Sequence, residues 1–317
     1  MNDEIENLNR EAAIHAGALE RVRHEMKLII VGQDAIIDRL LLALCAGGHV
    51  LLEGVPGIAK TLTARTLAGC IDGSFARIQF TPDLLPSDIT GTKIFTLRDA
   101  TFQTFQGPIF ARFILADEIN RAPPKVQSAL LEAMQENQVT IQGETHLLDR
   151  PFFVIATKNP IESEGTYPLP DAQVDRFMFK VLMTYPDKKD AVTILDRFTE
   201  GISFRPEKVM QVADLLRIQA FTQKIYADPS IKRYVTEIVD ATRNPAGYGI
   251  DAARYIALGA SPRASIHLIL GGKAHALLAG RGYLLPEDIK AVAHDVLRHR
   301  ISLTYEGEAE GITPNAI

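Results

Sequence analysis

Cysteine is almost missing from these 317 residues, which hold only Cys45 and Cys70. Cys45 stands in the apolar run LLLALCAGG and Cys70 follows TARTLAG, with no second cysteine or histidine at metal-ligand spacing. A disulfide-stapled scaffold and a cysteine metal site are thereby excluded. Both thiols are expected to be small buried hydrophobes of a reducing compartment. No apolar run approaches the roughly 20 residues that span a bilayer. The opening segment MNDEIENLNREAAIHAG is charged and polar where a secretory signal has an apolar centre. Membrane insertion is not expected, and a cytoplasmic location is. An excess of positive charge is lacking too: the net charge is -5, which disfavours a broad electrostatic grip on nucleic acid or anionic lipid. No internal repeat or low-complexity stretch is present.

What is present fits a folded chain, with 46% hydrophobic and 23% charged residues. The length exceeds what one hydrophobic core usually serves, so two domains are expected. Residues 3–27 pattern as an amphipathic helix or two, and an apolar helix is expected from Ala35 to Cys45. Strand-like runs HVLLE, FARIQF (75–80), RFILA (112–116), FFVIAT (152–157) and RFMFKVLM (176–183) alternate with helical stretches such as VQSALLEAMQEN (126–137). That alternation predicts a parallel α/β sheet covered on both faces. Two segments break the rhythm and read as β-hairpins, 91–110 and 138–153, the second turning near Gly143. After Pro186 helices alone are expected, over 187–200, 206–218, 229–243, 263–279 and 286–299. The expected division is therefore 1–186, an α/β unit, and 187–317, an all-α unit.

HVLLE runs straight into Gly54-Val55-Pro56-Gly57-Ile58-Ala59-Lys60-Thr61, with Leu62 continuing into a helix. This is phosphate-loop spacing. Glycines let the loop bend and aim successive backbone N–H groups at a β-phosphate. Lys60 adds charge toward the β- and γ-phosphates, Thr61 offers a hydroxyl to Mg²⁺, and the helix points its positive end at the anion. Ala59 replaces a customary glycine, which is tolerable if that residue is helical rather than at positive φ.

RFILA ends in Asp117-Glu118. On a strand adjacent to the loop, one carboxylate can hold Mg²⁺ while the other polarises the attacking water; by itself the pair would equally suit a solvated turn. FFVIATKNP brings Asn159 to a strand end, where an amide can orient water, though asparagine before proline is also a common turn. Arg176 in DAQVDRF can neutralise charge on a transferred phosphoryl group, or pair at the surface with Asp171 or Asp175. Arg263 falls at the second position of an expected helix, where the macrodipole disfavours a cation, so an anionic partner such as a nucleotide phosphate is expected.

In this order GVPGIAKT, LADE, ATKNP, DRF and SPR resemble the Walker A, Walker B, sensor 1, arginine-finger and sensor 2 motifs of the AAA+ superfamily. GPIFARFILADEINRAPPKVQSALLEAMQENQVT and EGTYPLPDAQVDRF are closer still to the MoxR family, Ala59 included. The resemblance covers about 30–300 and implies a P-loop NTPase with two hairpin insertions and a helical lid. It implies that Lys60 and Thr61 bind phosphate and Mg²⁺, that Asp117 supports the metal and Glu118 activates water. By the same resemblance Asn159 is sensor 1, Arg176 the arginine finger, Arg263 sensor 2, and Val31, Gly32 and Gln33 line the adenine site. Which arginine acts in cis is left open. Further implications are a ring of this chain, a hexamer by family habit, and a chaperone that remodels or activates a client. That client is often a von Willebrand factor A domain protein, here on a separate chain. A magnesium chelatase-like motor shares the two insertions. A nucleic-acid motor is disfavoured because the first hairpin offers only Lys93 and Arg98 as cations between 91 and 106.

Overall fold

The computed structural model describes residues 2–55, 57–96, 101–160, 165–199 and 205–317. The N-terminal segment is one helix, α1 (Asn2–Ile29), whose buried Ala12, Leu19, Val22 and Met26 form a single stripe. Next comes α2 (Asp34–Ala46), buried at Ile36, Ile37 and every position from Leu40 to Cys45 because it lies between α1 and later helices. It stops at Gly47, whose left-handed φ of 71° lets its N–H close on the last carbonyls.

The main sheet has five strands: β1 (Val50–Gly54), β2 (Phe75–Gln79), β5 (Phe113–Asp117), β8 (Phe153–Lys158) and β9 (Phe179–Met183). All pairings are parallel, in the order β2-β5-β8-β1-β9. The strand carrying the acids is therefore not the neighbour of β1, as expected; β8 lies between them. Crossover connections permit this, since a parallel strand need not return beside its predecessor. Helix α3 (Lys60–Cys70) follows β1. Alternating side chains serve two cores. Leu51, Ile114, Ala116, Val154 and Ala156 face α4 (Pro86–Thr90) and α5 (Pro124–Glu136). Val50, Leu52, Phe113, Leu115, Phe153 and Ile155 face the other way, toward α1, α2 and α3. Each such fully buried Leu or Phe contributes about 2 kcal/mol.

Both hairpins form. One joins β3 (Gly91–Thr96) to β4 (Thr101–Gln106), pairing Phe95 with Phe102. The other joins β6 (Gln138–Ile141) to β7 (Glu144–Leu147) through Gln142 and Gly143, both at positive φ as a tight two-residue hairpin turn requires. Lys93 and Glu144, 2.5 Å apart, link the two hairpins.

Past a short α6 (Asp171–Val174) and β9 come α7 (Lys188–Thr199), α8 (Val212–Lys224), α9 (Pro229–Arg243), α10 (Pro262–Leu278), α11 (Pro286–Leu297) and α12 (Tyr305–Ala309). The helical lid also carries a two-stranded ladder, β10 (Ile256–Leu258) with β11 (Ser302–Leu303). Helix α8 starts six residues later than expected. Pro206 packs on Gly69, and the N–H groups of Val209 and Met210 bond the carbonyl of Cys70, so this stretch serves as a tie to α3. Buried residues of α8 to α11 join those of α1, α2 and one sheet face in one continuous cluster. Cys45 and Cys70 are buried free thiols, each pushed up to about 12 by burial.

Candidate nucleotide site

A cavity of about 520 Å³ opens at the C-terminal end of the sheet. That is where open α/β sheets bind ligands. Gly57, Ile58, Ala59, Lys60, Thr61 and Leu62 line it on one side, and Asp117, Glu118 and Asn159 on another. Ile29, Ile30, Val31, Gln33, Pro186, Ile194 and Arg197 complete the wall.

Gly57 has φ 83°, a conformation an L side chain rarely adopts. Gly54 and Val55 are not among the lining residues, and Pro56 falls outside the described residues. Lys60 is buried and opens α3, its Nζ donating to the Gly54 carbonyl at 2.7 Å. Ala59 overturns its expected geometry, since φ 62° and ψ 23° are left-handed. An L residue there costs about 1–2 kcal/mol. The cause is that α3 begins only at Lys60, so Ala59 is its N-cap and its carbonyl accepts from the Thr63 N–H and hydroxyl.

Asp117 sits 8% exposed at the end of β5. Its Oδ1 accepts from the Thr157 hydroxyl at 2.7 Å. Its Oδ2 accepts from Arg77 Nε at 3.0 Å and Nη2 at 2.7 Å, and lies 3.5 Å from the Thr61 hydroxyl. Glu118 leaves the strand at φ 58°, ψ 50°. Its Oε2 accepts from Gln79 Nε2 at 2.9 Å and Arg121 Nη1 at 3.1 Å. Asn159, 4% exposed, follows β8 into the cavity.

Val31 and Gln33, expected at an adenine site, line the cavity wall, and Gln33 Nε2 donates to the Thr184 carbonyl at 3.2 Å. Gly32 stands behind them at φ 70°, and a Cβ there would fall 2.3 Å from Asp190 Oδ2, so only glycine lets α7 approach. Arg197, on α7, donates to the carbonyl of Leu28 at 2.8 Å.

The cavity wall includes neither Arg176 nor Arg263. Arg176 Nη1 donates to the Leu131 carbonyl at 2.9 Å, and its Nε finds no hydrogen-bond partner among the described residues. It pairs with neither Asp171 nor Asp175 among the described residues. The anion expected beside Arg263 exists within the chain. Asp175 Oδ2 lies 3.3 Å from Arg263 Nη1, and Asp175 Oδ1 accepts from Ser261 Oγ and Arg300 Nε, each at 2.8 Å. Burial pushes the Asp175 carboxyl up, but the bonds from Ser261 and Arg300 outweigh it and hold the group below its ordinary value.

Among the described residues no three His, Cys, Asp or Glu side chains gather as a metal cage. A hydroxyl and one carboxylate at a phosphate loop are instead the donor set of Mg²⁺, which takes few protein ligands and completes its shell with water and phosphate oxygens. The residues fit Mg²⁺·ATP.

Thr157, Arg77, Gln79 and Arg121 escaped the sequence reading. Thr157 lies on β8 two residues before Asn159. Arg77 and Gln79 alternate on β2, with Gln79 in register with Asp117. Only the strand order makes those spacings meaningful.

Residues 49–179 match the profile described as ATPase family associated with various cellular activities (AAA), and residues 250–317 match that of the AAA lid domain. The chain is 48% identical over 308 residues to Chaperone MoxR1 of Mycobacterium tuberculosis, covering 96% of this chain and 81% of that one. It is 33% identical to Protein MoxR of Paracoccus denitrificans, covering 91% and 90%. A crystal structure of a Cytophaga hutchinsonii protein superposes with a TM-score of 0.91 at 50% identity, covering 98% of this chain and 94% of that one.

Proposed function

Because this chain belongs to the MoxR family of AAA+ ATPases, we propose that it hydrolyses ATP to ADP and phosphate in this cavity and uses turnover to remodel, assemble or activate partner proteins. The observation that carries the reading is the convergence of Lys60, Thr61, Asp117, Glu118 and Asn159 on one cavity. Thr61 and Asp117 would hold Mg²⁺, which neutralises phosphate charge when bound. Lys60 and the N-terminus of α3 attract the phosphates. Glu118 takes a proton from the attacking water, and Asn159 orients that water or the γ-phosphate. Ile29, Ile30, Val31 and Ile194 offer an apolar slot for a base.

Residues 1–186 would act as the nucleotide-binding domain and 187–317 as the lid. Arg176 and Arg263 both lie off the cavity of their own chain, which supports a ring, a hexamer by family habit, in which both reach the ATP of a neighbouring chain. The client would meet the hairpins, where Ile94, Phe95, Phe102 and Phe105 are exposed, Phe102 by 68%. Their one described cation, Lys93, is already paired with Glu144, which favours a protein client over nucleic acid. A von Willebrand factor A domain protein on a separate chain is the proposed partner, and the cytoplasm the proposed compartment. No helix among the described residues is long and apolar enough to cross a membrane.

Phosphate release tests the reading. Glu118→Gln should bind ATP as the parent chain does and lose turnover by roughly 10²-fold or more, while Lys60→Ala loses binding. Undiminished hydrolysis by Glu118→Gln would refute the assignment. Pull-down with that variant and ATP then identifies the client.

A further inference from the structure

Thr157 is wholly buried on β8, in a side-chain row whose preceding members are Phe153 and Ile155. An apolar residue would continue that row, so a hydroxyl there needs a reason. Its bonds supply one. The Glu118 N–H donates to Thr157 Oγ1 at 2.8 Å, and Thr157 Oγ1 donates to Asp117 Oδ1 at 2.7 Å. The direction is forced: a backbone N–H can only donate, which leaves the one hydroxyl proton for a carboxylate that accepts it.

We propose that Thr157 is a positioning residue for ATP hydrolysis, its single hydroxyl fixing both acids of the Asp117-Glu118 pair. Engaging Oδ1 settles the rotation of the Asp117 carboxylate and turns Oδ2 toward Thr61, so one defined oxygen is presented to the metal. Holding the Glu118 N–H fixes the peptide joining the two acids at the point where the chain leaves β5 in a left-handed conformation, φ 58° and ψ 50°. The direction in which the Glu118 side chain sets out is thereby tied to the same hydroxyl. Thr157 does not line the cavity and acts only through these two groups. The β8 strand thus contributes twice, with Asn159 in the cavity and Thr157 beneath the acids.

The inference rests on the ATPase reading and is tested against it. Affinity for a fluorescent ATP analogue is measured with Mg²⁺ and with EDTA, beside phosphate release and the melting temperature, for the parent chain, Thr157→Val and Thr157→Ser. Thr157→Val keeps the shape and removes both bonds. It should retain the EDTA affinity, lose roughly tenfold or more of the affinity that Mg²⁺ adds, and lose turnover by about 10- to 100-fold. Thr157→Ser, which restores the hydroxyl, should regain most of each. Parental Mg²⁺ dependence and turnover in Thr157→Val would overturn the proposal. So would equal losses with Mg²⁺ and EDTA that follow the melting temperature and that serine does not rescue. Should Thr157→Val not fold, Thr157→Ala is read by the same criteria. A parent chain without Mg²⁺-dependent nucleotide binding would instead sink the ATPase reading itself.

Discussion

Arg77 donates twice to Asp117 Oδ2, and that oxygen is the one facing the Thr61 hydroxyl. A metal ion held by Asp117 would therefore compete with the guanidinium for one lone-pair region. Arg77 is about half exposed, at 47%, so solvent weakens its hold. An exposed pair of this kind is worth up to about 1 kcal/mol. Arg77→Met should lower the Mg²⁺ concentration that half-saturates nucleotide binding by up to about fivefold. Titration of Mg²⁺ against a fluorescent ATP analogue measures it; a higher Mg²⁺ requirement would mean that Arg77 orients the carboxylate rather than competing for it.

Ala59 carries a left-handed backbone that glycine takes freely. Ala59→Gly relieves that strain but gives the unfolded chain more freedom, so the net gain should be about 1 kcal/mol. Thermal melts of the two chains check this, and a drop in melting temperature would show that the Cβ makes a packing contribution larger than the strain.

Arg176 is held at the Leu131 carbonyl and Arg263 at Asp175, both off the cavity of their own chain. Arg176→Ala should bind ATP normally and lose turnover by roughly 10³-fold. Mixed with Lys60→Ala chains, which keep Arg176 but not the nucleotide, it should regain measurable phosphate release at interfaces where the two variants meet. Absence of any recovery in assembled mixed rings would place the arginine in cis.

Three histidines are held neutral by burial. His49 is lowered to about 4 and His267 to about 3, and His299 is also well below its ordinary value. At His49 the reason is visible: Nδ1 accepts from the Val154 N–H at 3.1 Å, and Nε2 faces the Met134 carbonyl at 3.1 Å. A second ring proton would have to displace the Val154 N–H. Because the folded state resists the proton that the unfolded chain accepts near pH 6.5, stability is complete above that pH and falls as pH drops toward 4. His49 alone accounts for about 3 kcal/mol over that interval. Melting temperatures between pH 7 and 4 follow the effect, and His49→Gln should flatten part of the slope.

Residues contiguous in sequence determined their own share of this protein. Lys60 and Thr61 had to open a helix after a strand, Asp117 and Glu118 had to end another, and the hairpin turn at Gly143 followed from local backbone preference. These features depend on neighbours along the chain, so periodicity and turn chemistry reveal them. Only the tertiary structure decided that β8 lies between β1 and β5, since parallel strands are ordered by crossover helices whose packing has no local signature. From that placement of β8 beside β5 follows Thr157 beneath the acid pair, and from β2 on the other side of β5 follow Arg77 against Asp117 and Gln79 against Glu118. The left-handed Ala59 was likewise set by where α3 begins. The pairing of Asp175 with Arg263 joins residues 88 apart, and such contacts are fixed by burial and charge in three dimensions.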